Sequence, residues 1–375
     1  MQPLKGIKVL DFSTLLPGPL ATLLLAEAGA EIIKVERPGR GDEMRSYTPR
    51  FGSDSVNFAL LNRGKNSVTV DLKTPQAVEQ LTPLIEEADI VVEQFRPGVM
   101  DRLGLGYEQL SSINPGVIYC SITGYGQSGP MANAAAHDLN YIAETGLLGL
   151  SEGADGAPVL PPALIADIAG GAYPAVMNIL LALRARDQTG KGCCLDISMA
   201  DGMFTFMYWA LGEAQATNQW AKPGNELVTG GSPRYQIYRT SDNRFVAAAP
   251  LEQKFWKNFC QLIDLPEEYR DDENHESEVK KAVAEKIAEA PASYWSECFA
   301  DQDVCCSIVA TLAEAIENPQ FRHRKLSEYS IMSDPGQLID ALPVPVAPCF
   351  REDLREKGYP SLGENNGRFV SGQEK

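Results

Sequence analysis

The chain has no C-x-x-C pair, and its eight cysteines are dispersed apart from two adjacent couples, Cys193-Cys194 and Cys305-Cys306. Neither a disulfide framework nor a zinc site is indicated, and reduced, mostly buried thiols are expected. No positively charged segment followed by a long apolar one opens the chain. Met-Gln-Pro-Leu-Lys-Gly leads directly into a strand-like run, which does not read as a signal peptide. The longest apolar runs, such as residues 172–183, are broken or too short to cross a bilayer, so a cytosolic protein is expected. Basic residues are outnumbered 33 to 50, and the formal net charge of −17 repels nucleic acid and anionic membranes. The acidity is uneven, with residues 266–278 forming a solvated acidic segment, so a local basic patch can still hold an anion.

What is present is the composition of a soluble globular protein: 375 residues, 44% hydrophobic and 22% charged, with 32 glycines and 25 prolines. That length is ample for a large core and by default for two domains. Over the first third, short β-branched or apolar runs at 7–12, 31–35, 67–70, 90–92 and 117–122 alternate with helical patterns at 21–28 and 77–87. Such alternation predicts βαβ units and a parallel sheet with helices on its faces. Pro17 and Pro19 stand at the start of the first helix and Gly29 where its end is due. A later helix over about 168–186 begins just after Asp167 and ends in basic residues before Gly190, which places Asp167 at a helix N-terminus. Residues 195–198 resume a strand, and 201–215 read as one Met- and aromatic-rich helix, a core element or subunit interface. Beyond it, antiparallel strands at 235–239 and 245–249 precede polar helices. The expected organisation is α/β: a large domain of residues 1–200 and 330–375, a linker helix over 201–225, and a smaller α+β domain over 226–329. The polar tail from Gly363 is expected to be mobile in part.

Three short patterns fail on their context. Gly124-Tyr-Gly-Gln-Ser-Gly129 has the dinucleotide-binding spelling, but Pro130 and small residues follow where an amphipathic helix should open. Gly149-Leu-Ser-Glu-Gly153 spells a nucleophile elbow with no helix after it. Gly190-Lys191 is followed by Gly192 rather than the serine or threonine of a phosphate loop.

Of the three histidines, His275 sits in the acidic run and His323 between two arginines, both as solvated residues. His137 differs, since it follows an alanine-rich loop, precedes Asp138 and opens an apolar stretch. From position alone it is as readily a helix cap as a functional group.

Many ordered stretches resemble the class III CoA-transferase superfamily: residues 4–12, Pro17-Gly-Pro19, residues 29–38, Gly41-Asp42, Asn62-Arg-Gly-Lys-Asn-Ser67, Asp71-Leu-Lys73, residues 89–102 and Thr189-Gly-Lys-Gly192. The resemblance covers nearly the whole chain. It implies a Rossmann-like large domain that binds coenzyme A, a smaller domain, and a homodimer of interlocked ring-like subunits, with no cofactor beyond the CoA moiety of an acyl-CoA substrate and no metal. Asp167 in Ala166-Asp-Ile-Ala-Gly-Gly171 matches the family's nucleophilic aspartate, which in transferases attacks the thioester to form a mixed anhydride. His137-Asp-Leu-Asn-Tyr141 is similar to the motif of the alpha-methylacyl-CoA racemase branch, where transferases carry another residue at the histidine position. In that branch His137 and Asp167 would be the two acid/base groups of a racemisation alpha to the thioester. Glu252 would support the histidine, Asp138 would orient it or cap a helix, and backbone N–H groups near Gly170-Gly171 or after Asp167 would hold the enolate. The CoA site implied by the resemblance is Arg37, Leu72, Lys73, Phe95, Arg102 and Tyr141, with Arg96 added: cations for the phosphates, Leu72 and Phe95 flanking the adenine. The rival expectations are a CoA-transferase working through Asp167 alone and an acyl-CoA-binding homologue without catalysis. One departure is visible, Leu362-Gly-Glu-Asn-Asn366 where relatives often read Leu-Gly-Glu-His-Thr, which bears on a C-terminal contact.

Overall fold

Six short runs, most rich in β-branched residues, build the principal sheet of the computed structural model, which describes residues 1–273, 275–334 and 336–370. They are β1 Lys8–Asp11, β2 Glu31–Glu36, β5 Asn66–Thr69, β6 Ile90–Glu93, β7 Ile118–Thr123 and β8 Cys193–Ser198; β3 Arg50–Phe51 and β4 Asp54–Ser55 form a small hairpin apart. The order is β5-β2-β1-β6-β7-β8 and every pairing is parallel. β2, β6 and β7 are buried along almost their whole length, as strands covered on both faces must be. The connections are helices: α1 Pro17–Glu27, α2 Val56–Asn62, α3 Ala77–Glu87, α4 Val99–Arg102, α5 Tyr107–Ile113 and α6 Asp138–Glu144. The parallel α/β sheet predicted from the alternation is therefore observed.

The chain divides into two units, Met1–Thr145 with Pro162–Phe206 and Lys325–Lys375, and Gly146–Pro161 with Met207–Arg324. The boundaries differ from those read in the sequence: the expected linker is divided, 201–206 in the first unit and 207–225 in the second, and the return to the first unit comes at Lys325 rather than 330. Residues 201–215 are not one helix: α8 Met199–Phe206 and α9 Tyr208–Thr217 are separated at Met207, where the backbone leaves helical geometry and one unit gives way to the other. The segment Gly146–Pro161 joins the second unit because Gly224 N–H donates to the Leu150 carbonyl at 3.1 Å and Glu152 packs on Gly224. That unit also holds the antiparallel sheet of β9 Gln236–Arg239, β10 Phe245–Ala248 and β11 Cys306–Ile308. Around it pack α10 Gln253–Leu262, α11 Glu276–Ile287 and α12 Ala292–Phe299, with Trp256, Phe259 and Trp295 at the core.

In the first unit a helix runs unbroken from Ala166 to Thr189, a π-helical segment Ala166–Ala172 followed by α7 Tyr173–Thr189. Its 24 residues are long and apolar enough to cross a membrane, longer than the sequence reading allowed. It packs on β7 and β8 through Ala175, Ile179, Ala182 and Leu183, while Tyr173, Met177, Leu180 and Leu181 are exposed. The thiols are all free as expected, but only Cys120 and Cys260 are buried, while Cys194, Cys305 and Cys349 are exposed. Of the tail from Gly363, the part to Val370 is structured; residues 371–375 lie outside the described residues. Asn365 and Asn366, the departure from the usual ending, make a contact of their own: their side-chain oxygens accept from Ser67 N–H at 2.9 Å and Thr69 N–H at 2.8 Å, covering the edge strand β5.

Candidate active site

The carboxyl ends of parallel strands are where an open α/β sheet receives ligands, and a cavity of about 370 Å³ opens there in the first unit. Gln94 and Phe95 enter its wall directly after β6, and Ile122 and Thr123 at the end of β7. Leu15 and Pro17 come from the loop into α1, Tyr125 and the alanine-rich loop from the stretch after β7, and His137, Asn140 and Tyr141 from the start of α6. Asp167 lies in the first turn of the π-helical segment. His137 and Asp167, thirty residues apart in sequence, thus face one cavity.

Each is held by its own local device. His137 is the exposed N-cap residue of α6, and its backbone N–H donates to Asn140 Oδ1 at 3.0 Å. Asp167 is placed by helix packing. Gly170 lies so close to α8 that a Cβ there would stand 2.2 Å from the Met199 carbonyl oxygen, and one on Gly202 would stand 2.7 Å from Gly170 Cα. Only glycine at both positions permits this approach. Asp138, almost fully buried, accepts from the Asp167 backbone N–H at 2.9 Å. The carboxylate expected to orient His137 therefore holds the backbone of Asp167, fixing the two halves of the site to each other. Burial, reinforced by the Asp138 charge and opposed by His137, pushes the Asp167 carboxyl up to about 6.

The enolate donors expected at Gly170 and Gly171 are not there. Both residues lie inside the π-helical segment, buried against Met199, and neither lines the cavity. The N–H after Asp167, that of Ile168, goes to the Leu164 carbonyl at 3.2 Å, and the Asp167 N–H itself is taken by Asp138. Residues that the motifs did not single out line the cavity instead: Gln94, Thr123 and Leu15. Thr123 carries a buried hydroxyl without a hydrogen-bond partner among the described residues. Leu15 holds a positive φ of 62°, its N–H directed to the Asp42 carboxylate. That strained loop is fixed from below by a buried charge network. Lys34 bonds Asp42 at 3.0 Å and the Ser13 carbonyl at 2.7 Å, and Lys65 reaches Asp11, Thr22, Asn62 and the Pro19 carbonyl. Burial would raise the Asp11 carboxyl, but Lys34 and Lys65 bring it to about 2, so the network is charged at neutral pH. A sequence signal for Gln94 and Thr123 exists only in their position, the last residue of a parallel strand or the one after it.

The residues expected to bind CoA are distributed more widely. Phe95, Arg96 and Tyr141 line the cavity with His137. Tyr141 acts as a wall: its ring rests on Gly124, and its hydroxyl donates to the Ala136 carbonyl at 3.0 Å. Arg37 instead borders a second cavity of about 550 Å³ in the same unit, with Arg40, Arg45, Arg50 and Asp42. There Arg37 pairs with Glu43 at 2.9 Å and buried Arg45 with Glu36 and Asp54, whereas Arg40 has no carboxylate partner among the described residues. Leu72 packs on the core, Lys73 is exposed beside Asp71, and Arg102 is exposed at the end of α4. Glu252 belongs to the second unit, where it is the exposed N-cap residue of α10. Among the described residues no cluster of His, Cys, Asp and Glu has the makings of a metal site. The pattern at Gly124 is no phosphate loop, since Gln127 N–H is spent on the Asp196 carboxylate at 3.0 Å.

Comparison with known proteins adds the family. A family model described as CoA-transferase family III matches residues 4–366. The human alpha-methylacyl-CoA racemase is 33% identical over 98% of this chain and 92% of its own length. The acetyl-CoA:oxalate CoA-transferase of Acetobacter aceti is 34% identical over 96% and 93%. Among solved structures, a CAIB/BAIF family protein from Brucella suis superposes with a TM-score of 0.82 at 28% identity, covering 98% of each chain.

Proposed function

The chain belongs to CoA-transferase family III, and from that premise we propose that it is an acyl-CoA racemase, interconverting the epimers of a 2-methyl-branched acyl-CoA by proton transfer at the carbon alpha to the thioester. Relatives of equal similarity carry both racemase and transferase names, so the reading rests on the site. The observation that carries it is the meeting of His137 and Asp167 in one cavity, with the Asp167 carboxyl raised to about 6.

A two-base racemase must hold one proton on a pair of groups and use either as the acid. A carboxyl raised to about 6 is protonated in an appreciable fraction of molecules near neutral pH. Asp167 can then serve as proton donor as well as acceptor, which an aspartate at its ordinary value would not readily do. Neutral His137 with protonated Asp167 serves one epimer; imidazolium with carboxylate serves the other. The CoA phosphates are assigned to the cavity of Arg37, Arg40 and Arg50, where guanidinium groups gather in an otherwise acidic protein. The proposal includes a cytosolic homodimer, a supporting role for Glu252, and no cofactor beyond the CoA moiety of the substrate.

The transferase reading uses Asp167 alone as nucleophile and gives His137 no role. Alpha-proton exchange of a 2-methylacyl-CoA in deuterated buffer, with no acceptor acid present, separates the two. The racemase reading expects exchange with loss of stereochemistry that disappears in His137→Ala. Absence of exchange, with CoA transfer appearing once a free carboxylic acid is added, would overturn it.

A further inference from the structure

Proton removal alpha to a thioester places negative charge on the carbonyl oxygen, and a site without a donor there leaves the barrier high. Most backbone and hydroxyl donors around the cavity are committed elsewhere. Asp167 N–H goes to Asp138, His137 N–H to Asn140, Tyr141 hydroxyl to the Ala136 carbonyl and Tyr125 hydroxyl to Glu144. Gln94 is different. It follows β6 at the carboxyl edge of the sheet, is half-buried and lines the cavity. Its Oε1 accepts from Gly18 N–H at 3.0 Å. A backbone N–H can only donate, so the oxygen of the carboxamide is identified by its partner and the NH2 group must lie on the other side. Gly18 is required for this seat, since a Cβ there would stand 2.2 Å from Ser13 Cβ and 2.9 Å from Gln94 Oε1. The amide is thereby fixed against α1, and its nitrogen makes no hydrogen bond with a described residue.

We propose that Gln94 Nε2 donates to the thioester carbonyl oxygen of the bound acyl-CoA, orienting it and stabilising the enolate. This rests on the reading above that the cavity takes an acyl-CoA. In the step, His137 or Asp167 takes the alpha proton, the C–H electron pair moves through the new C=C bond onto the carbonyl oxygen, and the Gln94 hydrogen bond shortens to meet the charge. The pair returns to carbon when the opposite partner delivers its proton. No co-reactant is consumed.

The test uses the full-length protein and two readouts. Gln94→Glu keeps an acceptor for Gly18 N–H and removes the donor; Gln94→Ala removes both. Alpha-proton exchange is expected to fall by about 100- to 1000-fold in each. Binding is read as the ratio of dissociation constants for the thioether analogue, CH2 in place of C=O, and the matched thioester. Wild type is expected to favour the thioester by roughly 3- to 10-fold, and both variants to lose that preference. Two other donors compete: Asn140, its Oδ1 likewise anchored on a backbone N–H, and Thr123, whose buried hydroxyl has no partner among the described residues. A wild type without preference, a preference that survives Gln94→Glu, or one abolished only by Asn140→Asp or Thr123→Val overturns the proposal. If wild type shows no alpha exchange, the racemase reading fails separately, and the binding ratio still decides the role of Gln94.

Discussion

Asp167 is partly exposed in the cavity wall, yet its carboxyl is raised from 3.8 to about 6, and that shift is also a statement about stability. Between those two values the native state binds more protons than the unfolded one. Stability contributed by the group is full below pH 4 and falls as pH rises toward 6. Asp167→Asn removes the charge, so it should match wild type below pH 4 and exceed it by about 1–2 kcal/mol at pH 7 to 8, after allowance for solvent screening. Urea denaturation at the two pH values checks this, and exchange activity should be lost with the same substitution. Asp138→Asn is subtler: an amide oxygen can still accept the Asp167 N–H, but one of the charges holding Asp167 up is gone. The acid limb of the pH–rate profile should therefore move to lower pH with the fold intact. Asp138→Ala should additionally cost about 1–3 kcal/mol, because the Asp167 amide loses its acceptor.

At the scale of elements, strands and helix starts were legible in the sequence and helix packing was not. The runs at 31–35, 90–92 and 117–122 announce β2, β6 and β7 because a parallel strand buried on both faces is largely apolar, with Lys34 and Ser121 as buried polar exceptions. Pro17 and Gly190 mark a start and an end in the same direct way, Gly190 adopting φ 70°. A π-helical turn leaves no such mark, since its cause lies in another element: the backbone of Gly170 meeting that of Gly202 and Met199. The break at Met207 is equally silent, because the sequence is apolar on either side of it. Gly170→Ala should cost about 3 kcal/mol, since the atom facing the new methyl group is a backbone oxygen, and should abolish activity by displacing Asp167. Gly212→Ala in α9 is the counter-case. Nothing lies within 4 Å of its Cβ position, and a gain of about 0.5–1 kcal/mol in thermal or urea denaturation is expected.

For the molecule as a whole, the proposed function raises the question of how a chain of net charge −17 would hold a substrate that carries phosphates. Resemblance pointed to Arg37 but not to Arg40, because an isolated exposed arginine carries no signal until its partners are known. In the structure Arg37 and Arg45 have carboxylates within 3 Å, Arg50 donates to the Arg45 and Ser53 carbonyls, and Arg40 has no carboxylate partner among the described residues. The local field at that cavity therefore depends on Arg40 and Arg50 more than on the arginine count, and Arg40 is the one not tied to backbone carbonyls. An unpaired exposed guanidinium acts at a range that salt screens, about 10 Å at 0.1 M. Under the proposed assignment it meets the CoA phosphates equally in ground and transition states. Arg40→Ala should then raise KM for acyl-CoA about 5- to 10-fold with kcat within twofold, the pattern of lost uniform binding. The KM of wild type should rise between 20 and 200 mM salt, and that rise should be smaller in the variant. A kcat that falls together with kcat/KM would instead place Arg40 at the reacting centre, and an unchanged salt response would remove the phosphates from this cavity.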